Sequence, residues 1–302
     1  MAGASTALTR YAWLSVTAAI VTLALKTVAS TLTSSVGLLA DALESLVNLG
    51  AAVMLLVMLR IAARPADEGH AYGHTKAEYI ASAFEGLLVI VAAAGIAWTA
   101  TSRLVHPRPL EHAGLGLAVT TLASGVNLLV ARVLMRAARR HRSIALEADA
   151  QHLMTDVWTS AGVVVGVGLV VLTGWLALDP LIALLVAGNI MFIGGTLLTR
   201  SVLGLMDAAW PMEERAALDR VLDEFRARGI QFHALRTRRS GARRFASFHV
   251  LVPGAWTVQQ GHDLLEEIEH RIAQRLAGVT IDTHLEPVED PASYRDQGLE
   301  RE

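Results

Sequence analysis

The chain has 302 residues, 53% of them hydrophobic and only 18% charged, with a mean hydropathy of +0.43. Ordinary soluble chains carry roughly 25% charged residues, so the composition points to a membrane protein. The net charge of -2 makes no electrostatic case for nucleic acid, and the lack of cysteine excludes disulfides and thiolate metal ligands.

Six apolar runs fall at 12–33, 36–59, 79–101, 114–135, 145–173 and 180–199, each near the roughly 20 residues a helix needs to cross hydrocarbon. No cleavage pattern follows the first run, so it reads as a first span rather than a signal peptide. The linkers Thr33-Ser34-Ser35 and Gly174-Trp175-Leu176 are short and uncharged. Basic residues gather in the other connections, at Arg10, Arg60, Arg64, Lys76, Arg136, Arg139, Arg140, Arg142 and Arg200, against Arg103 and Arg108 opposite. The positive-inside rule then places both termini in the cytoplasm.

Span two carries Glu44 and Asn48, and span five carries His152 and Asp156. Residues i and i+4 share one face of a helix, so each span offers two donors to one neighbour. One imidazole, two carboxylates and one amide suit a tetrahedral divalent-cation site. Glu44 and Asn48 lie about 12 and 18 Å from the outer end of span two, and His152 and Asp156 about 10 and 16 Å from the inner end of span five. The four levels meet near the middle of a ~30 Å core. Interhelical hydrogen bonding is the plainer use of such groups, above all for Asn48, but buried carboxylates are costly glue.

Other polar groups sit in the spans. Glu85 of span three is a candidate proton relay or metal-entry gate, or else an interfacial carboxylate facing water. Lys26 and Asp41 fall at similar depth on neighbouring spans and read as a structural ion pair, since a lysine would repel a cation. Asn189 reads as helix glue.

Residues 1–206 therefore form a six-helix transmembrane domain. The remainder is charged and periodic. A helix from Pro211 to near Gly229, strands at 230–239 and 243–252 around Ser240-Gly241-Ala242, a helix at 256–276 and a strand at 279–285 give the order αββαβ. This α+β unit spans 207–290, and 291–302 is a loose polar tail. It holds five histidines, among them His233, His249, His262 and His284, more than a bland surface needs. Between spans two and three, Asp67, His70 and His74 supply one oxygen and two nitrogens, and even a short helical turn would gather the histidines.

Together these features resemble the cation diffusion facilitators, proton-coupled divalent-metal exporters that include bacterial zinc antiporters. The resemblance covers nearly the whole chain. It includes the run Asp67-Glu68-Gly69-His70-Ala71-Tyr72-Gly73-His74-Thr75-Lys76-Ala77-Glu78, which matches the family's acid followed by His-x-x-Gly-His-x-Lys-x-Glu. It implies a transport site on Glu44, Asn48, His152 and Asp156, although the family's commoner second-span pairs are Asp/Asp or His/Asp. It implies a secondary metal site on Asp67, His70 and His74. It also implies a binuclear zinc site shared across a homodimer of metallochaperone-like, ferredoxin-like cytoplasmic domains, on His233, His249, His262, His284 and Glu286, where the family's usual last ligand is aspartate. Lys76 and Asp207 match an interdomain salt-bridge pair.

The expected function is alternating-access efflux of a divalent cation against protons in a bacterial inner membrane. Zinc is favoured, as substrate and regulator, over iron, cobalt, manganese and cadmium. A metal-sensing membrane scaffold without transport is the alternative. An intramembrane metallohydrolase would need a motif such as His-Glu-x-x-His, which the sequence lacks, so the protein is not expected to be an enzyme.

Overall fold

A computed structural model describes residues 2–33, 36–106, 113–175, 177–276 and 278–295, with side chains described at 8–28, 31, 45–106, 118–119, 121–162, 165, 169, 172–175, 177–178, 180–276 and 278–295. The sequence readings of Glu44, Asp41 and Arg108 thus fall outside the described side chains, as do Ser34, Ser35, Leu176 and the end of the tail.

Six long helices come first: α1 (Ala2–Thr33), α2 (Val36–Ala62), α3 (Ala77–Val105), α4 (Ala113–His141), α5 (Ile144–Thr173) and α6 (Leu178–Leu205). Among the described residues, five of them, α1 to α4 and α6, contain a stretch long and apolar enough to cross a bilayer. The remaining helix, α5, is as long but carries Glu147, Asp149 and Asp156. Several helices outrun their apolar runs, α1 starting ten residues before its run and α4 ending six residues after. A helix satisfies its own backbone whatever its side chains, so hydropathy marks the hydrocarbon-compatible part and not the helix ends.

The chain divides into two compact units, 1–203 and 204–302. In the first, Ala12, Val16, Leu55, Leu59, Ala81, Leu134 and Leu146 belong to one buried cluster drawn from α1 to α5. Val89 and Ala93 of α3 meet Ile190 of α6 in a second. Alanine is the commonest residue of the first cluster because bilayer helices gain from close backbone approach and not from hydrophobic exclusion. Glu78, in the first turn of α3, accepts a hydrogen bond from Ser143 in the turn before α5.

The second unit contains α7 (Met212–Arg226), β1 (Gln231–Ser240), β2 (Arg243–Val252), α8 (Val258–Arg275), β3 (Val279–Pro287) and a final 3₁₀ turn, Pro291–Tyr294. The sheet order is β1-β2-β3, with β1 antiparallel and β3 parallel to β2. Parallel neighbours need a crossover, and α8 supplies it, started by a reciprocal capping box between Thr257 and Gln260. One face of β2, with Ala246, Phe248, Val250 and Val252, packs on Leu218, Leu222 and Phe225 of α7 and on Ile268 and Ile272 of α8. Gly241 at φ +57 makes the tight β1–β2 turn. The protein is thus a helical membrane domain followed by a small αββαβ domain.

Candidate functional site

The bundle brings Asn48, His152 and Asp156 together although 104 and 108 residues separate Asn48 from the other two. Asn48 Nδ2 donates to Asp156 Oδ2 at 2.9 Å, and Asn48 Oδ1 lies 3.0 Å from His152 Nε2. The amide therefore sits between the two α5 donors. Glu44 lies one helical turn before Asn48 on α2, and its side chain is outside the described set.

Two neighbours complete the polar cluster. Asn127 of α4 also donates to Asp156 Oδ2, at 3.1 Å, and its own Oδ1 is buried with no hydrogen-bond partner among the described residues. Glu85 of α3 places Oε2 at 3.4 Å from His152 Nδ1. Glu85 is 1% exposed, so the reading of it as a carboxylate facing water does not fit the fold. Asn127 had no spacing signal; it is one polar residue in an apolar run. Asp149 carries one: Asp149, His152 and Asp156 stand at i, i+3 and i+7, a single helix face. Lys26 is half-buried on α1, while its expected partner Asp41 lies outside the described side chains.

In the α2–α3 loop the ligand atoms of Asp67, His70 and His74 all lie within 4.8 Å of one another. His70 donates its backbone N–H to Asp67 Oδ1 at 2.7 Å, and the carboxylate faces both rings, at 3.2 Å from His70 Nδ1 and 3.4 Å from His74 Nε2. A helical turn does not do this. An Asp67–His70 bridge followed by a turn through Gly73 at φ +81 folds the two rings to a centroid distance of 4.3 Å. Lys76 stands immediately before α3 without a side-chain capping hydrogen bond, and Asp207 follows α6 with φ +57 and accepts from Arg238 Nη1 at 3.5 Å. Each of these two charges belongs to a different compact unit.

In the sheet, His233, His249 and His284 are direct cross-strand partners. Their rings follow one another at 5.0 and 4.9 Å. Glu286, two residues beyond His284 on the same face of β3, reaches back under the row. It lies 2.7 Å from His233 Nε2, 3.2 Å from His249 Nδ1 and 3.9 Å from His284 Nε2. His233, His249 and Glu286 form a group whose ligand atoms lie within 4.8 Å of one another. A β-bulge follows His233, with Ala234 at φ +51. His284 stands at the exposed edge of the row. His262 is exposed on α8, where it and a Thr283 hydrogen bond oppose the burial that raises the Glu269 carboxyl above its ordinary value. The donor chemistry of the sheet cluster, two imidazoles and a carboxylate, fits zinc.

Comparison with known proteins accounts for both units. Residues 12–206 match the cation efflux transmembrane domain, and residues 210–288 match the cytoplasmic domain of cation efflux proteins. The chain is similar to the uncharacterized transporter sll1263 of Synechocystis sp., at 51% identity over 94% of this chain and 92% of that one. It is similar to the cation-efflux pump FieF of Klebsiella pneumoniae at 32% identity, covering 84% of each chain. A solved structure of CzrB in its Zn form shares 34% identity over 27% of this chain and 93% of that chain, with a TM-score of 0.26. The chain belongs to the cation efflux family: it is a multi-pass membrane transporter of divalent metal cations, not an enzyme, with the family's cytoplasmic domain at its C-terminal end.

Proposed function

We propose that the protein exports a divalent transition-metal cation, zinc first, from the cytoplasm in exchange for protons by alternating access. It acts as a homodimer in a bacterial inner membrane with both termini cytoplasmic. The observation that carries the reading is the meeting of Asn48, His152 and Asp156 from α2 and α5 through contacts of 2.9 and 3.0 Å inside an apolar bundle. With Glu44 these residues are the transport site. Glu44 and Asp156 balance a dication, and His152 offers a good zinc ligand. A proton and a metal ion compete for the same lone pairs, so coupling follows from the donors themselves. Asp67, His70 and His74 form a secondary site. His233, His249, His262, His284 and Glu286 are the regulatory zinc site.

The test is flux in vesicles that contain only this protein. With an imposed pH gradient, zinc should move against the proton flow, and collapse of the gradient by an ionophore should stop accumulation. Metal bound by the protein without flux would favour the scaffold reading and defeat this one.

A further inference from the structure

The inference rests on the transport-site reading and concerns α3, which supplies no donor to that site. Glu85 is 1% exposed, and neither of its carboxylate oxygens has a hydrogen-bond partner among the described residues. Its Oε2 lies 3.4 Å from His152 Nδ1. The other ring nitrogen, Nε2, faces Asn48 Oδ1 at 3.0 Å. The imidazole therefore stands between Glu85 and the donor set, with one nitrogen toward each.

Adjacent residues fix α3 in place. A Cβ on Gly86 would come within 3.1 Å of the Leu198 backbone nitrogen and 3.2 Å of the Gly194 oxygen, both on α6. One turn earlier on α3, Ser82 accepts a hydrogen bond from Ser201 Oγ at 2.8 Å. Glu85 is thus carried on a helix seated closely against α6.

A ligating imidazole presents one nitrogen to the metal, and the hydrogen bond made by the other nitrogen decides which one it is. We propose that Glu85 is a positioning residue for the transport site. Its carboxylate receives the Nδ1–H of His152, holds the ring plane and tautomer, and leaves Nε2 as the lone pair directed at the cation. This also explains an otherwise unpartnered carboxylate in a membrane interior, where such a group is expensive to keep.

The experiment uses the full-length chain in lipid nanodiscs with Zn²⁺ as the probe. A His70→Ala, His249→Ala background removes the loop and sheet clusters from the count. Zinc affinity is measured without further change, with Glu85→Leu, with His152→Ala, and with both. Glu85→Leu should weaken binding by about 10–100-fold, the usual effect of removing a partner behind a metal-ligating histidine. Added to His152→Ala it should cost nothing more, since its action passes through that ring. In ¹⁵N-histidine NMR of the zinc-loaded protein, the His152 Nδ1 proton should be strongly downfield and should move upfield in Glu85→Gln, which keeps the shape but loses the charge.

Losses that multiply in the double variant would show Glu85 acting on the cation or the fold directly, and would overturn the proposal. An unshifted His152 resonance in Glu85→Gln would overturn it too. Unchanged zinc affinity in His152→Ala defeats the transport-site reading and this proposal with it. Unchanged affinity in Glu85→Leu beside a defective His152→Ala defeats this proposal alone.

Discussion

The bundle cluster and the sheet cluster use nearly the same donors and are held by different forces. In the sheet, His233, His249 and His284 sit on adjacent strands, and backbone hydrogen bonds fix their spacing. In the bundle, Asn48 of α2 meets His152 and Asp156 of α5 through side-chain contacts. A hydrogen-bonded ladder has one register and cannot open without local unfolding. Helices packed through small residues can slide or tilt as bodies. The same chemistry is therefore held in a fixed geometry in one place and in a geometry that can be taken apart and remade in the other.

The sharpest way to break this comparison is to remove α5 donors. His152→Ala or Asp156→Ala should reduce pH-driven zinc flux to the level of protein-free vesicles while the protein still elutes as a folded dimer. Each change deletes one of four donors, and Asp156 also anchors both Asn48 and Asn127. Flux near the unmutated rate at matched protein content would refute the bundle site.

Next in size is the contrast in exchange. Zinc at the sheet cluster should leave slowly, over many transport cycles, and should favour the dimer by binding the assembled form. His233→Ala should weaken that site by about 10–100-fold, remove the slow-exchanging metal, and leave basal flux measurable. Sedimentation of the full chain with zinc and with chelator checks the assembly; equal profiles, together with unchanged slow-exchanging metal in His233→Ala, would end the sensing role.

Asn48→Asp sharpens the bundle side. Asn48 now donates to Asp156 and faces His152. A carboxylate there loses the donor and sets two like charges in contact, so the empty site needs an extra proton. Lower half-saturating zinc, steeper dependence on outside pH and a shift toward zinc over manganese should follow, each by severalfold. Competitive flux of zinc and manganese at two pH values is the measurement. If neither selectivity nor pH dependence changes, Asn48 serves only to hold α2 to α5.

Much of this was legible in the sequence because periodicity reports elements directly. The i, i+4 pairs named the faces of α2 and α5, and alternation placed three histidines on strands. What stayed hidden depended on which helices become neighbours. Asn127 and Glu85 meet the cluster through α4 and α3, and no spacing within one helix encodes that approach. Gly73 shows the other limit. A turn with positive φ, not a helical one, gathers His70 and His74, and the two readings share the same four-residue spacing. His262 marks where family pattern and geometry part: the sheet draws in His233, His249 and Glu286 by register, while α8 leaves His262 exposed.

The smallest expected effect probes how the rigid site is aimed. The bulge that follows His233 places Ala234 at φ +51. Left-handed backbone costs a residue with a Cβ roughly 1–2 kcal/mol. Glycine relieves this but adds roughly 0.5–1 kcal/mol of unfolded-chain freedom. Ala234→Gly should therefore stabilise the C-terminal unit by about 0.5–1 kcal/mol, which for a unit of this size raises its unfolding midpoint by about 2–6 °C. The register on both sides of the bulge is held by paired strand residues, Phe232 with Val250 and Arg236 with Ser247, so zinc affinity should stay within about threefold. Thermal unfolding followed by the sheet's circular dichroism, with and without zinc, reads both quantities. A lowered midpoint would mean that Ala234 is not strained in the folded chain. A raised midpoint with a large loss of zinc would mean that the strained alanine, and not the strand register, aims His233, and the contrast between a backbone-fixed sheet site and a side-chain-fixed bundle site would lose its main support.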